Sequence, residues 1–166
     1  MSEAQAQLPP FQAFLEQHRG PVLGFLRAMV GPDDADDCFQ ETFLAALRAY
    51  PSADGRNLRA WVMTIARNKA IDHARARARR ATPVADPPDR PVSDSYDGLG
   101  GGEVWARAAE LANGQRAALA LRFAADLPYR AIGATLGTSE AAARRRVHDG
   151  LEALREHLAT TSKEDQ

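Results

Sequence analysis

The stretch that decides the fold is residues 128–158, which read PYRAIGATLGTSEAAARRRVHDGLEALREHL. Tyr129 and Ile132 follow helical spacing, and Gly137 suits the left-handed residue that often ends a helix. Ser139 is a favourable N-cap for a second helix. Two helices joined by a short glycine turn are the pattern of a helix-turn-helix, whose second helix enters the major groove of DNA.

The second helix of this motif begins with a dense group of basic side chains. An arginine can bond the edge of guanine with two hydrogen bonds, or it can bind backbone phosphates. Adjacent arginines on a helix often form only a solvated surface, but the turn and the cap before them favour DNA binding. The motif alone does not distinguish among classes of helix-turn-helix protein. The predicted DNA contacts are Ser139, Ala143, Arg144, Arg145, Arg146 and His148.

Charge is distributed in blocks, although the 166-residue chain has a net charge of only −1. Residues 1–52 carry three basic and seven acidic side chains, whereas residues 53–80 carry eight basic and two acidic ones. Residues 81–105 are acidic again, with one basic and five acidic side chains. Residues 106–160 are mildly basic, with eight basic and six acidic side chains. A nearly neutral total therefore conceals surfaces of opposite charge, which predicts separate partners.

The composition predicts an all-α chain of two small helical domains joined by a flexible linker. Alanine is abundant, valine and isoleucine are sparse, and no segment alternates as a strand would. Helical spacing begins near Pro10, and Gly20-Pro21 predicts a kink or a division into two helices. The predicted parts are a polar tail (1–9), a helical domain (10–80), an acidic linker rich in proline and glycine (81–102), a helix-turn-helix domain (103–158) and a second tail (159–166).

The cellular compartment follows from what the sequence contains. The single cysteine, Cys38, gives no disulfide framework, which favours a reducing cytoplasm. No apolar run approaches the roughly 20 residues that a membrane span requires, and the N-terminus lacks the pattern of a secretory signal. We therefore expect a cytoplasmic protein without membrane insertion. Cys38 lies on a predicted core stripe beside acidic residues, and we interpret it as an inert packing residue.

Two segments carry a family resemblance. Asp33–Leu44 (DDADDCFQETFL) and Leu58–His73 (LRAWVMTIARNKAIDH) closely resemble the second conserved region of bacterial sigma factors. Residues 111–158, which include LPYRAIGATLGTS, resemble the fourth conserved region. These two regions, in this order and with no third domain, resemble the extracytoplasmic-function (ECF) class of the sigma-70 family. The resemblance implies a protein that binds core RNA polymerase and directs initiation at promoters with −10 and −35 elements.

The resemblance assigns roles to the N-terminal domain. The acidic helix is implied to dock on a coiled coil of the largest catalytic subunit of polymerase through Asp37, Gln40, Glu41 and Leu44, which share one helical face. The third helix and the loop before it are implied to take the −10 element as single-stranded DNA, where aromatic rings can stack on bases and cations can follow the backbone. The implied −10 residues are Arg56, Asn57, Trp61, Arg67, Asn68, Asp72, Arg75, Arg77, Arg79 and Arg80.

Several of these assignments have a structural alternative. Trp61 also lies on the predicted core stripe, so its ring packs in the core or stacks on a base. Asp72 either shapes the base-recognition surface or pairs with Arg75 three residues later. The acids at the start of the second helix also favour the helix dipole, which explains Asp33 and Asp34 well.

The helix-turn-helix is implied to bind the −35 element as duplex, with one departure from many relatives. Asp149-Gly150 replaces a basic residue and an alanine after His148. Asp149 would repel a phosphate, and a glycine weakens a helix interior by about 1 kcal/mol. We therefore expect the DNA contacts to end at His148. The acidic linker resembles the connector that threads the polymerase cleft, although an ordinary tether would also account for Asp86, Asp89, Asp94 and Asp97.

Other functions are less consistent with the sequence. The four histidines are scattered without metal-ligand spacing, and no glycine-rich phosphate loop appears. We therefore expect no enzyme, no catalytic residues, no metal and no cofactor. The alternative to a sigma factor is a stand-alone helix-turn-helix regulator with a helical interaction domain. Members of the ECF class are commonly held by an anti-sigma protein, so the resemblance adds an anti-sigma factor as a candidate partner.

Overall fold

The computed structural model describes residues 7–80 and 102–164, and within these ranges all regular structure is helical. This confirms the predicted all-α class. The predicted linker, including its four aspartates, lies outside the described residues except for Gly102, which begins a helix. The helices are α1 (Phe11–Val30), α2 (Pro32–Ala49), α3 (Leu58–Arg80), α4 (Gly102–Ala108), α5 (Asn113–Leu119), α6 (Tyr129–Leu136) and α7 (Glu140–Glu164), with a 3₁₀ turn at Tyr50–Ser52 and a π turn at Ala120–Ala124.

The N-terminal half packs α1, α2 and α3 around a core of large apolar side chains. Phe14, Phe25 and Leu26 of α1 are fully buried, as are Val62 and Met63 of α3. Each buried aromatic ring removes a large apolar area from water, so Phe14 and Phe25 are major contributors to this small core.

Of the two outcomes predicted at Gly20-Pro21, the division into two helices is wrong, because α1 is one helix that contains Pro21. Proline removes one backbone donor, but His18 and Val22 on either side of it are buried against the core. Tertiary packing of this face outweighs the local cost of proline.

The starts of α2 and α3 are set by local chemistry. Gly31 adopts a left-handed φ of 83° before α2, and Pro32 occupies the first turn, where its missing N–H costs nothing. Asp33 and Asp34 follow in that turn, where acids favour the helix dipole. At α3, the Asn57 Oδ1 accepts a hydrogen bond of 3.1 Å from the Ala60 N–H, so Asn57 caps the helix.

In the C-terminal half, α5 and α6 pack against the long helix α7, and the π turn packs against α5 and α6. Leu119, Leu121 and Ile132 are buried in this core together with Val147 of α7. The helix α7 continues to Glu164, past the predicted end of the domain at residue 158.

The two halves contact each other through small residues. α1 and α3 pack against the π turn and α6, and the buried apolar side chains form one cluster that includes residues of both halves. A Cβ placed on Gly24 of α1 would lie 3.6 Å from the Cβ of Ala124 in the π turn. The sequence predicts the two helical units but not this contact.

Candidate nucleic-acid and protein-docking surfaces

The helix-turn-helix is held by a tight backbone turn. Gly137 adopts the left-handed conformation (φ 65°), and the Thr138 N–H donates to the Gly133 carbonyl at 2.8 Å. The Ser139 Oγ accepts a hydrogen bond from the Ala142 N–H at 3.1 Å and caps α7. A Cβ on Gly133 would lie 2.8 Å from the Thr138 carbonyl oxygen, so α6 approaches the turn as closely as only glycine permits. These contacts fix the position of α7 relative to α6.

Fewer of the predicted DNA-contacting residues of α7 are exposed to solvent than the sequence indicates. Arg144, Arg145 and His148 are exposed, and Arg146 is half-buried beside Gly114. Ala143 is fully buried with Val147 on the packing face, so its predicted DNA contact is not available to its side chain. The reason is geometric, since residues four apart on a helix lie on the same face.

Arg144 is part of a cluster that the sequence analysis did not find. Its guanidinium lies 4.8 Å from the centre of the Tyr129 ring, and the Arg122 guanidinium lies 5.0 Å from the same centre. Arg122 also donates to the Leu127 carbonyl at 3.2 Å, and Arg144 pairs with Glu140 at 3.3 Å. The Tyr129 ring therefore lies within cation–π distance of both Arg122 and Arg144, next to the recognition helix α7. The signal available in the sequence was Arg122, which lies seven residues before Tyr129 at the start of α6. Spacing alone did not place Arg122, Tyr129 and Arg144 together.

The departure at Asp149-Gly150 has a packing explanation in part. Gly150 is buried, and a Cβ there would lie 2.9 Å from Cδ1 of Leu119. Gly150 therefore lets α7 approach α5, and this close packing gives a reason for a glycine at that position despite its cost to the helix. Asp149 is exposed, and the Nε2 of the neighbouring His148 lies 3.7 Å from Glu152.

The four residues predicted to dock on polymerase share one exposed face of α2, namely Asp37, Gln40, Glu41 and Leu44. Leu44 is 53% exposed and Leu47 is 50% exposed, which is unusual for two large apolar side chains on one helix. Beside them, α1 and α2 form an open apolar groove of about 390 Å³. Its lining residues are Phe11, Leu15, Phe39, Gln40, Phe43, Leu44 and Leu47.

The loop before α3 and its first turn use several predicted −10 residues for local structure. Asn57 caps the helix, and the Arg56 Nε lies 3.7 Å from Asp54 Oδ1 on the exposed surface. The half-buried Trp61 packs its ring 5.8 Å from Phe14 and 6.2 Å from Tyr50, measured between ring centres. This packing favours the core role of Trp61 over stacking on a base.

The remaining predicted −10 residues lie along α3. Asn68, Asp72, Arg75, Arg79 and Arg80 are exposed and Arg67 is half-buried. No ion pair joins Asp72 to Arg75 within this described helix, so the structural alternative for that pair is not supported.

Arg77 differs from its neighbours, because its Nη1 donates to Asp34 Oδ2 of α2 at 3.1 Å.

Burial and charge act together on the one thiol. Cys38 is 1% exposed, and burial, followed by the nearby Glu41, Asp34 and Asp37 carboxylates, raises its pKa to about 11. A thiol that is both buried and neutral is a poor nucleophile and metal ligand. Within residues 7–80 and 102–164, no three His, Cys, Asp or Glu side chains gather as a metal site. Over the same part of the chain, none of the helices has the length and apolar character to span a bilayer.

Two family models match the chain. The model described as sigma-70 region 2 matches residues 14–80, and the model described as sigma-70, region 4 matches residues 109–156. The first match contains α2, α3 and most of α1, and the second contains the helix-turn-helix.

Relatives of known class align over most of the chain. The ECF RNA polymerase sigma factor SigE of Mycolicibacterium smegmatis is 31% identical over 171 residues, which cover 96% of this chain and 66% of SigE. The RNA polymerase sigma factor CarQ of Myxococcus xanthus is 35% identical over 159 residues, which cover 89% of this chain and 88% of CarQ. The chain thus spans slightly less than two thirds of SigE and most of CarQ.

Solved structures have the same fold. The sigma factor RpoE of Bartonella quintana, in complex with the anti-sigma factor NepR, matches with a TM-score of 0.75 and 25% identity over 90% of this chain and 96% of RpoE. CnrH, in complex with the cytosolic domain of CnrY, matches with a TM-score of 0.68 and 23% identity, a likeness of fold alone. Because both conserved regions and the relatives agree, the chain belongs to the sigma-70 family, in the extracytoplasmic-function class of sigma factors.

Proposed function

We propose that this sigma factor binds core RNA polymerase and directs promoter-specific initiation, with a division of labour among three helices. In this scheme α2 docks on polymerase, α3 takes the −10 element as single strand, and the helix-turn-helix takes the −35 element as duplex. The observation that carries the proposal is that one chain has both matched regions, each with an exposed face of the chemistry that its partner requires.

The polymerase face of α2 combines charge with apolar area. Asp37 and Glu41 are exposed acids that suit a basic partner, and Leu44 and Leu47 are exposed apolar side chains next to the α1–α2 groove. Burial of one such leucine contributes about 1–2 kcal/mol to binding. We infer that charge steers the encounter and that the leucines and the groove supply most of the affinity.

The −10 surface is proposed to be the exposed side of α3. Asn68 and Asp72 are polar and accessible, and Arg75, Arg79 and Arg80 form an exposed basic end that suits a phosphate backbone. Trp61 is left out of the proposed stacking residues because of its packing against Phe14 and Tyr50.

The −35 surface is proposed to consist of exposed residues of α7 and of the cluster around Tyr129. Arg145 and His148 face solvent, and Arg144 is 62% exposed despite its contacts. Arg122 and Arg144 concentrate positive charge beside the Tyr129 ring, which suits a DNA phosphate. Arg122 therefore joins the predicted residues that remain once the buried Ala143 is set aside, which are Ser139, Arg144, Arg145, Arg146 and His148.

Anti-sigma proteins are a proposed partner class. The similar RpoE was solved in complex with the anti-sigma factor NepR, and CnrH, which shares the fold, was solved in complex with the cytosolic domain of CnrY. We further infer that the chain has no catalytic activity of its own and lends promoter specificity to polymerase.

Two measurements test the proposed function. The purified chain is mixed with core polymerase at low ionic strength, and we expect a shared peak in gel filtration. Transcription of genomic fragments by the mixture, with start sites mapped, should then give initiation at a common pair of upstream elements. Failure to associate with core polymerase refutes the proposal. If the chain binds DNA but never polymerase, it is instead a stand-alone helix-turn-helix regulator.

A further inference from the structure

We propose that Asp34 is a positioning residue that holds the basic end of α3, and that Arg77 acts in this contact and not on DNA. We call Asp34, His73 and Arg77 the Asp34 bracket. The inference rests on the proposed role of α3 at the −10 element. It assigns a function to an acid that the sequence alone explains by the helix dipole.

The bracket joins two helices through a single oxygen. Asp34 Oδ2 accepts a hydrogen bond from Arg77 Nη1 at 3.1 Å and lies 3.1 Å from His73 Nε2, a contact without hydrogen-bond geometry. His73 and Arg77 are four residues apart and therefore share one face of α3. The side chains of Asp34 and His73 are only 32% and 26% exposed, so solvent screens this contact less than it would a pair on the open surface.

The end of α3 needs such a contact because little else fixes it. From residue 71 to residue 80 no side chain is buried, whereas Ala66 and Ala70 before this stretch are buried. Four arginines in this stretch, Arg75, Arg77, Arg79 and Arg80, repel one another within three helical turns. A helix end with few buried contacts opens locally at low cost. Each ion pair described for this stretch ends on Asp34.

The bracket divides the arginines by role. All four arginines are exposed, and the Arg77 side chain is 63% exposed, but Arg77 alone among them is paired with Asp34. Among the described residues, Arg75, Arg79 and Arg80 have no such pair and suit phosphate binding. Asp34 stands three residues before Asp37, which belongs to the proposed polymerase face. The bracket therefore links the helix that docks on polymerase to the helix that takes the opened strand.

The test uses the reconstituted holoenzyme at saturating polymerase and a labelled single strand that carries the −10 element. Asp34→Asn is compared with Asp33→Asn, which removes the same charge from the same helix turn, where Asp33 forms no ion pair with the described helix α3. We expect Asp34→Asn to weaken strand binding about fivefold, the size expected for a half-exposed, hydrogen-bonded charge pair. Asp33→Asn should leave strand binding unchanged.

The salt dependence separates positioning from phosphate contact. Arg77→Ala should weaken binding about fivefold without changing the slope of log affinity against log salt, whereas Arg75→Ala should flatten that slope by about 0.7. The double variant Asp34→Asn/Arg77→Ala should bind no more weakly than either single variant. Equal slopes for Arg77→Ala and Arg75→Ala, or equal effects of Asp34→Asn and Asp33→Asn, overturn the inference.

Thermal unfolding of Asp34→Asn, Arg77→Ala and the double variant tests the bracket independently of DNA. If Asp34 and Arg77 interact, the effects of Asp34→Asn and Arg77→Ala on the midpoint of thermal unfolding are non-additive in the double variant. Additive effects overturn the inference. If the effects on stability are non-additive but Arg75→Ala leaves strand binding unchanged, the contact of Asp34 with Arg77 is supported. In that case the proposed −10 role of α3 is refuted.

Discussion

For Gly133→Ala, helix propensity and tertiary packing predict opposite changes in the free energy of unfolding. Alanine in a helix interior is favoured over glycine by about 1 kcal/mol, so α6 considered alone would be stabilised. In the folded chain the new Cβ would lie 2.8 Å from the Thr138 carbonyl oxygen and 3.0 Å from both the carbonyl carbon and oxygen of Ser139. All three are backbone atoms of the turn, so they cannot rotate away as a side chain would.

The magnitude follows from these distances. Overpacking of a well-packed site costs about 1–3 kcal/mol, and rigid backbone neighbours place Gly133→Ala at the upper end. After the gain in helix propensity, the free energy of unfolding should fall by about 2 kcal/mol. For a chain of this size that corresponds to a midpoint lowered by roughly 6 °C. Relief of the clash must move α6 away from the turn, so the recognition helix α7 shifts as well.

Circular dichroism during thermal unfolding measures the stability, and fluorescence anisotropy measures binding to a −35 duplex. Gly24→Ala is the matched control, since its Cβ would meet Ala124 at an ordinary 3.6 Å. The control should raise the midpoint by roughly 3 °C and leave −35 binding unchanged. If Gly133→Ala raises the midpoint as much as Gly24→Ala and binds DNA normally, the argument from close approach is refuted.

Four further outcomes are expected. Arg144→Ala combined with Arg145→Ala should abolish promoter selection in transcription assays and leave co-elution with core polymerase intact; loss of both would contradict the division of labour. Glu41→Lys should do the converse, weakening co-elution while −35 duplex binding persists. Arg122→Ala should reduce the salt slope of −35 duplex binding by about 0.9, and an unchanged slope would remove Arg122 from the interface. Cys38, whose pKa burial raises to about 11, should react with iodoacetamide at pH 8 far more slowly in the folded chain than in denaturant; equal rates would show an accessible thiol.

The helical class and the helix-turn-helix were predictable because their signals are local. Gly137 ends α6 and Ser139 caps α7 as their residue types predict, since each acts through backbone atoms within four residues of itself. The exposed face of α2 followed from helical spacing in the same way. The predicted alternative of two helices at Pro21 shows the limit of such signals, because packing of the surrounding face decided that α1 continues.

The sequence by itself determined the element types, the two conserved regions and the blocks of charge, all of which depend on near neighbours along the chain. Only the tertiary structure decided which arginines stay available, since Arg77 meets Asp34 across 43 residues and Arg122 meets Arg144 on the ring of Tyr129. It also decided that Ala143 is buried and that Gly150 rests on Leu119. The physical reason is that the rotation and distance of packed helices depend on every side chain in their interface, so spacing along one helix does not specify them.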